Sequence, residues 1–396
     1  MVVQGAWKAL GWIAVAVLFS LSLWYSATVV VNDLMEYWNL SSSLEGWLSA
    51  SIPLGFVIGT FISSNVGLAD KYHPRTIFAI SALLGAIFNL LMIFTKSGII
   101  GIALRILTGI TLAGVYPIAV KILSHWFPKN RGLAVGILIA ALTIGTSLPH
   151  FIVIIFSSLH WKLIIVSSAI LAFIAAIIIT FLLEDNPVQR RNAPFSMKLI
   201  KNVIKNKHVM LANYGYFGHM WELYAMWTWL PAFLTASFTK YLLEVSITFI
   251  AFTSFASIGI AGAVGCVVGG ILSDKIGRAN LTIVSMLISG ICCILIGFTY
   301  GKAIWLTLII AIIWGISIIA DSAQFSVAVS EVSEIDYVGT ALTFQMCIGF
   351  LLTIVSINIL PIIQRIIGWE WAFTILSIGP FLGIIAMYKY RESEHS

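Results

Sequence analysis

Long apolar stretches separated by short polar breaks run through all 396 residues of the chain. Each stretch is roughly 20 residues long, and about 20 residues of helix cross the hydrocarbon core of a bilayer, which is about 30 Å thick. We therefore predict an all-α integral membrane fold with twelve transmembrane helices, called spans one to twelve in chain order. The predicted spans are 9–31, 45–66, 76–95, 99–123, 132–156, 162–183, 209–237, 246–272, 280–299, 303–329, 338–362 and 370–389.

The polar breaks also divide the chain into two halves. The one long break follows span six, which predicts an N-terminal six-helix bundle over 1–184, a cytoplasmic linker over 185–208 and a C-terminal six-helix bundle over 209–396. A similar charged loop follows the second span of each half, beginning at Asp70 and at Asp274, about 205 residues apart. Such an offset is typical of duplicated transporter halves.

Composition and charge support a membrane protein. Apolar residues make up 60% of the chain and charged residues only 10%, and a soluble protein would carry about twice that charged share. With the N-terminus inside, 16 of the 22 Lys and Arg residues fall in cytoplasmic connections and tails. This bias predicts a multi-pass inner (plasma) membrane protein with both termini cytoplasmic. It also explains the net charge of +6 without a nucleic-acid partner.

The sequence argues against several other classes of protein. The first apolar run is too long for the core of a signal peptide, so we expect span one to be retained. The four cysteines have no metal-ligand spacing, and neither a phosphate-binding loop nor a nucleophile motif is present. We expect no metal, no cofactor and no enzymatic activity. A channel would show a filter repeat or rings of carboxylates, and neither is found in the sequence.

Residues 270–278, GILSDKIGR, resemble the G-x-L-x-D-[RK]-x-G-R loop of the major facilitator superfamily. In that family the loop joins the second and third helices of each half and forms a charge cluster that controls opening on the cytoplasmic side. The first-half copy departs from the pattern at Val66 and at His73-Pro74. The gating residues implied by the resemblance are Asp70, Lys71, Arg75, Arg131, Asp274, Lys275 and Arg278.

Further motifs extend the resemblance over essentially the whole chain. Arg105 to Gly109 in span four is similar to the family's R-x-L-x-G motif, and Trp126-Phe127 with Arg131 is similar to the stretch that leads into helix five. The tracts at 114–117 and 218–224 look most like bacterial nitrate, cyanate and organic-anion permeases, although the nitrate signature itself is not found. The resemblance implies a monomeric secondary transporter for a small solute in the lipid bilayer.

Four ionisable side chains lie inside predicted spans: Arg105, Lys121, Glu222 and Asp321. A charge at the bilayer centre costs at least about 2.5–3.5 kcal/mol, so each is a candidate functional group. Lys121 lies near the end of span four, where it can also reach the interface. Arg105 either donates hydrogen bonds to carbonyl groups of neighbouring helices or contacts substrate.

Glu222 lies near the middle of span seven, and His219 is one helical turn earlier on the same face. We predict that this carboxyl group and this imidazole exchange a proton, the alternative being a fixed pair that links helices. Asp321 lies among polar residues of span ten, which indicates a water-lined face or packing against a polar neighbour. The predicted substrate and proton pathway consists of Arg105, His219, Glu222, Tyr224, Asp321, Gln324, Tyr25 and Tyr116.

Together these features predict proton-coupled uptake of a small organic or inorganic anion by alternating access. Arg105 or Lys121 would bind the anion, and Glu222 or Asp321 would carry the proton. One alternative is a proton-driven exporter of a cationic or amphipathic compound, with the aromatic side chains as stacking walls. A nutrient sensor built on the same fold is a third possibility.

Overall fold

A computed structural model of the protein describes residues 5–127, 131–156, 160–184, 196–242, 244–334 and 336–394. These residues are helices joined by short turns, and no strand occurs among them. The chain divides into two compact units, Met1–Phe195 and Ser196–Ser396. Of the predicted linker 185–208, the described part from Ser196 onward contains the short helix Ile200–Lys205.

In the N-terminal unit, spans one to six are built from helices that several turns interrupt. Span one ends its first helix early, and span six ends in a π-helical turn over Ile178–Leu182. The helices of this unit are Ala6–Leu21, Val31–Tyr37, Ser42–Val66, Leu68–Lys71, Pro74–Leu91, Gly98–Leu112, Tyr116–Trp126, Arg131–Ile155 and Lys162–Ile177, with 3-10 turns at Thr28–Val30 and Met92–Phe94.

In the C-terminal unit, span seven is one unbroken helix of 36 residues, Lys207–Leu242. Span eight contains a π-helical segment, Phe255–Ile260, between two α-helical parts. The remaining helices are Ile247–Ser254, Ala261–Ile276, Arg278–Leu295, Ile304–Ala320, Ser322–Val332, Val338–Ile367, Trp369–Ala372 and Ile378–Glu394, with 3-10 turns at Met197–Leu199, Ile296–Thr299 and Phe373–Ser377.

The helices confirm the predicted fold class. Among the described residues, 10 helices are long and apolar enough to cross a membrane, and Ala6–Leu21 is a shorter apolar helix. The helix Lys207–Leu242, which is span seven, brings the number of spans to twelve: it is long enough to cross a membrane but contains several polar side chains. The protein is an all-α, twelve-span membrane protein.

Close packing between matching spans of each unit depends on glycine. In the N-terminal unit a Cβ atom on Gly55 would overlap the carbonyl oxygen of Ile106, which shows that spans two and four touch backbone to backbone. In the C-terminal unit a Cβ atom on Gly265 would overlap the carbonyl oxygen of Ile316 in the same way, between spans eight and ten. Small residues allow helices to approach this closely in membranes.

Besides the π-helical segment of span eight, three spans are broken by turns in the middle among the described residues. Span one has only turns over 22–27, span four is interrupted between Leu112 and Tyr116, and span ten is interrupted at Asp321. An interrupted helix leaves carbonyl and amide groups without their helical partners, and such groups need other partners when they are buried. Of the candidate site residues, Tyr25, Tyr116 and Asp321 lie at these interruptions.

Candidate functional site

Arg105 donates hydrogen bonds to backbone carbonyl groups at the interruption of span one. Its side chain is fully buried, Nη1 donates a hydrogen bond of 2.9 Å to the carbonyl oxygen of Leu23, and Nη2 donates one of 2.6 Å to that of Trp24. Both carbonyl groups belong to the turns at 22–27, where helical hydrogen bonding has stopped. The structure shows the hydrogen bonds from Arg105 to backbone carbonyl groups, and its contact with substrate stays a prediction.

The two tyrosines predicted for the pathway in this unit lie on the same interrupted spans. Tyr25 is buried in the break of span one and is close enough to Arg105 for an electrostatic interaction. Tyr116 begins the second helix of span four and is half-buried. The hydroxyl of Ser26 donates to Oδ1 of Asn89 at 2.7 Å, so the break is lined by further buried polar groups.

His219 and Asp321 form a buried pair in the C-terminal unit. Nδ1 of His219 lies 2.9 Å from Oδ1 of Asp321, and both side chains are 1% exposed. The Phe325 and Tyr216 rings flank the imidazole, with ring centroids 5.5 and 6.1 Å from its own. Nε2 of His219 has no hydrogen-bond partner among the residues that the structure describes. The pair thus joins span seven to the interruption of span ten.

Glu222, one turn further along span seven, binds three hydrogen-bond donors. The indole Nε1 of Trp314 donates to Oε1 at 2.5 Å, the thiol of Cys293 donates to Oε1 at 3.1 Å, and the hydroxyl of Ser289 donates to Oε2 at 2.9 Å. Trp314 belongs to span ten, and Cys293 and Ser289 to span nine. Glu222 therefore holds spans seven, nine and ten together.

These contacts correct the predicted pairing of His219 with Glu222. The two residues interact electrostatically, but the carboxyl group nearest to the imidazole is that of Asp321. Sequence reasoning also missed Trp314, Ser289 and Cys293. The available signal was that Ser289 and Cys293 are four residues apart, which places both on one face of a helix.

Tyr224 and Gln324, also predicted for the pathway, face neighbouring side chains. The ring of Tyr224 packs against Trp227 and Phe350, with centroids 5.4 and 5.3 Å apart. Gln324 is buried, and its Oε1 accepts a hydrogen bond of 3.0 Å from Nη1 of Arg278. Within the C-terminal unit, Gln324 therefore links span ten to the gating loop.

Comparison with known proteins identifies the family. Residues 13–357 match the family model described as Major Facilitator Superfamily. The chain belongs to the major facilitator superfamily. It is a transporter rather than an enzyme.

The same fold occurs in a solved structure of the nucleoside transporter NupG. That structure matches with a TM-score of 0.73 and 14% sequence identity, over 96% of this chain and 99% of that one. At this identity the likeness concerns the fold. No curated protein matches the sequence. The predicted resemblance to nitrate, cyanate and organic-anion permeases is not confirmed by these comparisons and stays a prediction.

In the gating loop of this transporter, Arg278 pairs with an acidic residue that lies outside the loop. Nε and Nη2 of Arg278 donate to the two carboxylate oxygens of Glu331 at 2.9 and 2.7 Å, whereas Asp274 and Lys275 are exposed. The acidic partner of Arg278 is therefore Glu331, at the end of the helix Ser322–Val332. The gating roles of Asp274, Lys275 and Arg278 stay predictions. Such a bidentate guanidinium–carboxylate pair is among the stronger ionic contacts in proteins.

In the first-half copy of the loop, Arg75 donates hydrogen bonds to backbone carbonyl groups. Its Nε and Nη2 donate to the carbonyl oxygens of Ile179 and Thr180 at 3.3 and 2.7 Å, at the π-helical end of span six. Lys71 is exposed. The side chains of Asp70 and Arg131 lie outside the described part of the structure, so their predicted gating role stays a prediction.

Glu222→Gln is expected to fold with nearly the stability of the parent transporter. The amide oxygen still accepts from Trp314, and the amide nitrogen can donate to the hydroxyl of Ser289. Glu222→Leu removes every acceptor and leaves the indole N–H buried without a partner, at about 1–3 kcal/mol. Thermal unfolding in detergent micelles measures the difference in stability between Glu222→Gln and Glu222→Leu. Equal melting temperatures for the two variants would show that Glu222 does not hold the three spans together.

Proposed function

We propose that this protein is a proton-coupled secondary transporter and that the His219–Asp321 pair carries the proton. The supporting observation is an acid and an imidazole 2.9 Å apart, each 1% exposed, at the interruption of a transmembrane helix. An isolated buried charge is costly, so such a pair gains and loses a proton as a unit rather than as two independent groups. Buried acidic and histidine side chains of this kind form proton relays in pumps and transporters.

The His219–Asp321 pair fits the role of proton carrier better than Glu222, the other acidic residue predicted for it. Three donors already occupy the oxygens of Glu222. Nε2 of His219, in contrast, has no partner within the described residues, and a group that takes up a proton needs an open lone pair. We therefore assign proton exchange to the pair and a fixed, helix-joining role to Glu222.

A small anion is the substrate class that we propose. Arg105 is a fully buried cation beside the interruption of span one, and it keeps one donor, Nε, without a partner among the described residues. An anion would complete the hydrogen bonding of the guanidinium. Export of a cationic compound instead requires an acidic side chain as ligand, but three donors occupy Glu222 and the carboxylate of Asp321 lies 2.9 Å from His219.

Purified transporter in vesicles that contain a pH-sensitive dye tests this proposal. Nitrate, cyanate and small carboxylates are added outside one at a time, with a nucleoside and a lipophilic cation as the competing classes. An inward gradient of at least one anion should carry protons into the vesicles. Anion uptake that neither moves protons nor responds to an imposed pH gradient would contradict the coupling. Proton movement driven by the cation alone would favour the exporter.

We also propose the orientation predicted from the charges, with both termini and the 185–208 segment in the cytoplasm. Single cysteines introduced as Arg190→Cys and Ser396→Cys should resist an impermeant thiol reagent in intact cells. Lys96→Cys, on an exposed predicted outer loop, is the control that should react. The native thiols give little background, because three are buried and Cys347 is half-buried. Labelling of either cytoplasmic position from outside would reverse the assignment.

A further inference from the structure

Gln324 lies between the buried acid–imidazole pair and the gating loop. Its backbone N–H donates to the carbonyl oxygen of Asp321 at 2.8 Å, within the first turn of the helix Ser322–Val332 that follows the break. Its side chain is 4% exposed, and Oε1 accepts from Nη1 of Arg278 at 3.0 Å. One residue thus contacts both the backbone of the proton site and the guanidinium of the loop.

The guanidinium of Arg278 holds the cytoplasmic half of span ten at two places. One donor reaches Gln324 at the start of the helix, and two donors reach the carboxylate of Glu331 near its end. Arg278 itself begins span nine, directly after the glycine that ends span eight. The helix Ser322–Val332 is therefore tied to the loop between spans eight and nine along most of its length.

The other half of span ten has a different anchor. Trp314, in the helix Ile304–Ala320, donates to Glu222 of span seven. The interruption at Asp321 separates this half from the half tied to Arg278. A helix broken between two separately anchored segments can have two arrangements, and such two-state elements transmit free energy between sites.

We propose that Gln324 is a positioning residue that links the protonation state of the His219–Asp321 pair to the gating loop at 270–278. The inference rests on the proposed function, because it takes the pair as the proton site. When the proton leaves, the imidazole no longer neutralises the Asp321 carboxylate, and the first turn after the break shifts. Gln324 shifts with that turn, and Arg278 loses one of its three contacts, which leaves Glu331 as its only partner on span ten.

Among the described residues, few groups face the pair. On span seven these are Glu222, whose carboxyl group interacts with His219, and the ring of Tyr216. From span nine the thiol of Cys293 reaches Glu222, and Arg278 reaches the pair only through Gln324. On span eleven, the nearest polar side chain bonded to span ten is Gln345, which carries no charge. Of the two partners of Arg278 on this helix, Gln324 lies in the turn directly after Asp321, so a change at the pair reaches the loop first through Gln324.

Amide hydrogen exchange of the full-length transporter in detergent micelles tests the link without a substrate. Backbone protection at the start of span nine, 281–284, where the amides first have helical acceptors, is compared at about pH 5 and about pH 8 after correction for intrinsic exchange. Coupling between sites is typically about 5–150-fold, so protection in the parent should change about tenfold. Gln324→Met, which keeps the volume but not the acceptor, should reduce the change to less than about twofold.

Ser326→Ala is the matched control. Ser326 lies on the same helix, but its hydroxyl donates to Gln345 of span eleven at 3.1 Å rather than to the loop, so the tenfold response should remain. A full response in Gln324→Met, or none in the parent, overturns the link through Gln324. The proposed function is judged separately by anion-driven proton movement into vesicles, which survives either result if it is correct. Should Gln324→Met not fold, Gln324→Asn, too short to reach Arg278, replaces it with the same expected loss.

Discussion

Asp321→Asn should abolish proton-driven accumulation of the transported solute and leave solute exchange intact. The amide oxygen of asparagine can still accept from Nδ1 of His219, so the 2.9 Å contact and the fold persist. The pair loses the carboxylate that stabilises the imidazolium, so it no longer binds a proton and releases it during the cycle. Exchange of labelled for unlabelled solute needs no net proton movement and should continue.

Accumulation against an imposed pH gradient measures this loss, because an uncoupled carrier only equilibrates its solute and the inside-to-outside ratio then falls to about one. Glu222→Gln is the control: it changes the other buried acid of the same region and should still accumulate. Loss of accumulation in Glu222→Gln but not in Asp321→Asn would move the proton site to Glu222. Loss of both accumulation and exchange in Asp321→Asn would make Asp321 a substrate ligand.

Arg105→Met should cause a clear loss of folded protein, larger than that of Arg75→Met. The substitution keeps an unbranched side chain but removes the donors that satisfy the carbonyl groups of Leu23 and Trp24. The carbonyl oxygen of Leu23 keeps the hydroxyl of Ser26 at 3.0 Å, so the expected cost is that of about one buried hydrogen-bonding group, about 1–3 kcal/mol. The yield of monodisperse protein and its thermal unfolding in detergent micelles measure the effect.

Arg75→Met is the matched control for this prediction. Arg75 also donates to two carbonyl oxygens, those of Ile179 and Thr180, but it is only half-buried, so water can replace its hydrogen bonds. We expect it to cost less than about 1 kcal/mol. If Arg105→Met is as stable as the parent and instead fails to transport, the guanidinium serves the substrate rather than the backbone of span one.

The interruptions of spans one and ten show where sequence patterns stop being informative. Neither 22–27 nor Asp321 contains proline or glycine, the residues that normally mark a break in a helix. Both stretches read as continuous apolar helix apart from the polar side chains. The breaks are recognised only in the folded structure, where each lies against a partner from another helix. Arg105 binds the carbonyl groups of span one, and His219 contacts the carboxyl group of Asp321.

The sequence by itself determined the fold class and the identity of the buried charges. Hydropathy defined the twelve spans because every backbone group in lipid must be satisfied within a helix, so a span needs a fixed length of apolar residues. The same cost made Arg105, Glu222 and Asp321 conspicuous, since an ionisable group inside a span needs a compensating partner. The gating loop was recognisable from its motif in the second half, with Arg278 as one of its members.

Only the tertiary structure decided which partner each charge has. Helical periodicity places His219 and Glu222 on one face of span seven, and this favoured pairing them with each other. The packed unit instead brings Asp321 to His219, and the indole of Trp314 to Glu222. Periodicity describes neighbours along one helix. Which faces of different helices meet depends on contacts between helices, such as that of Gly265 in span eight with Ile316 in span ten. These residues are far apart along the chain, so no local sequence pattern predicts their contact.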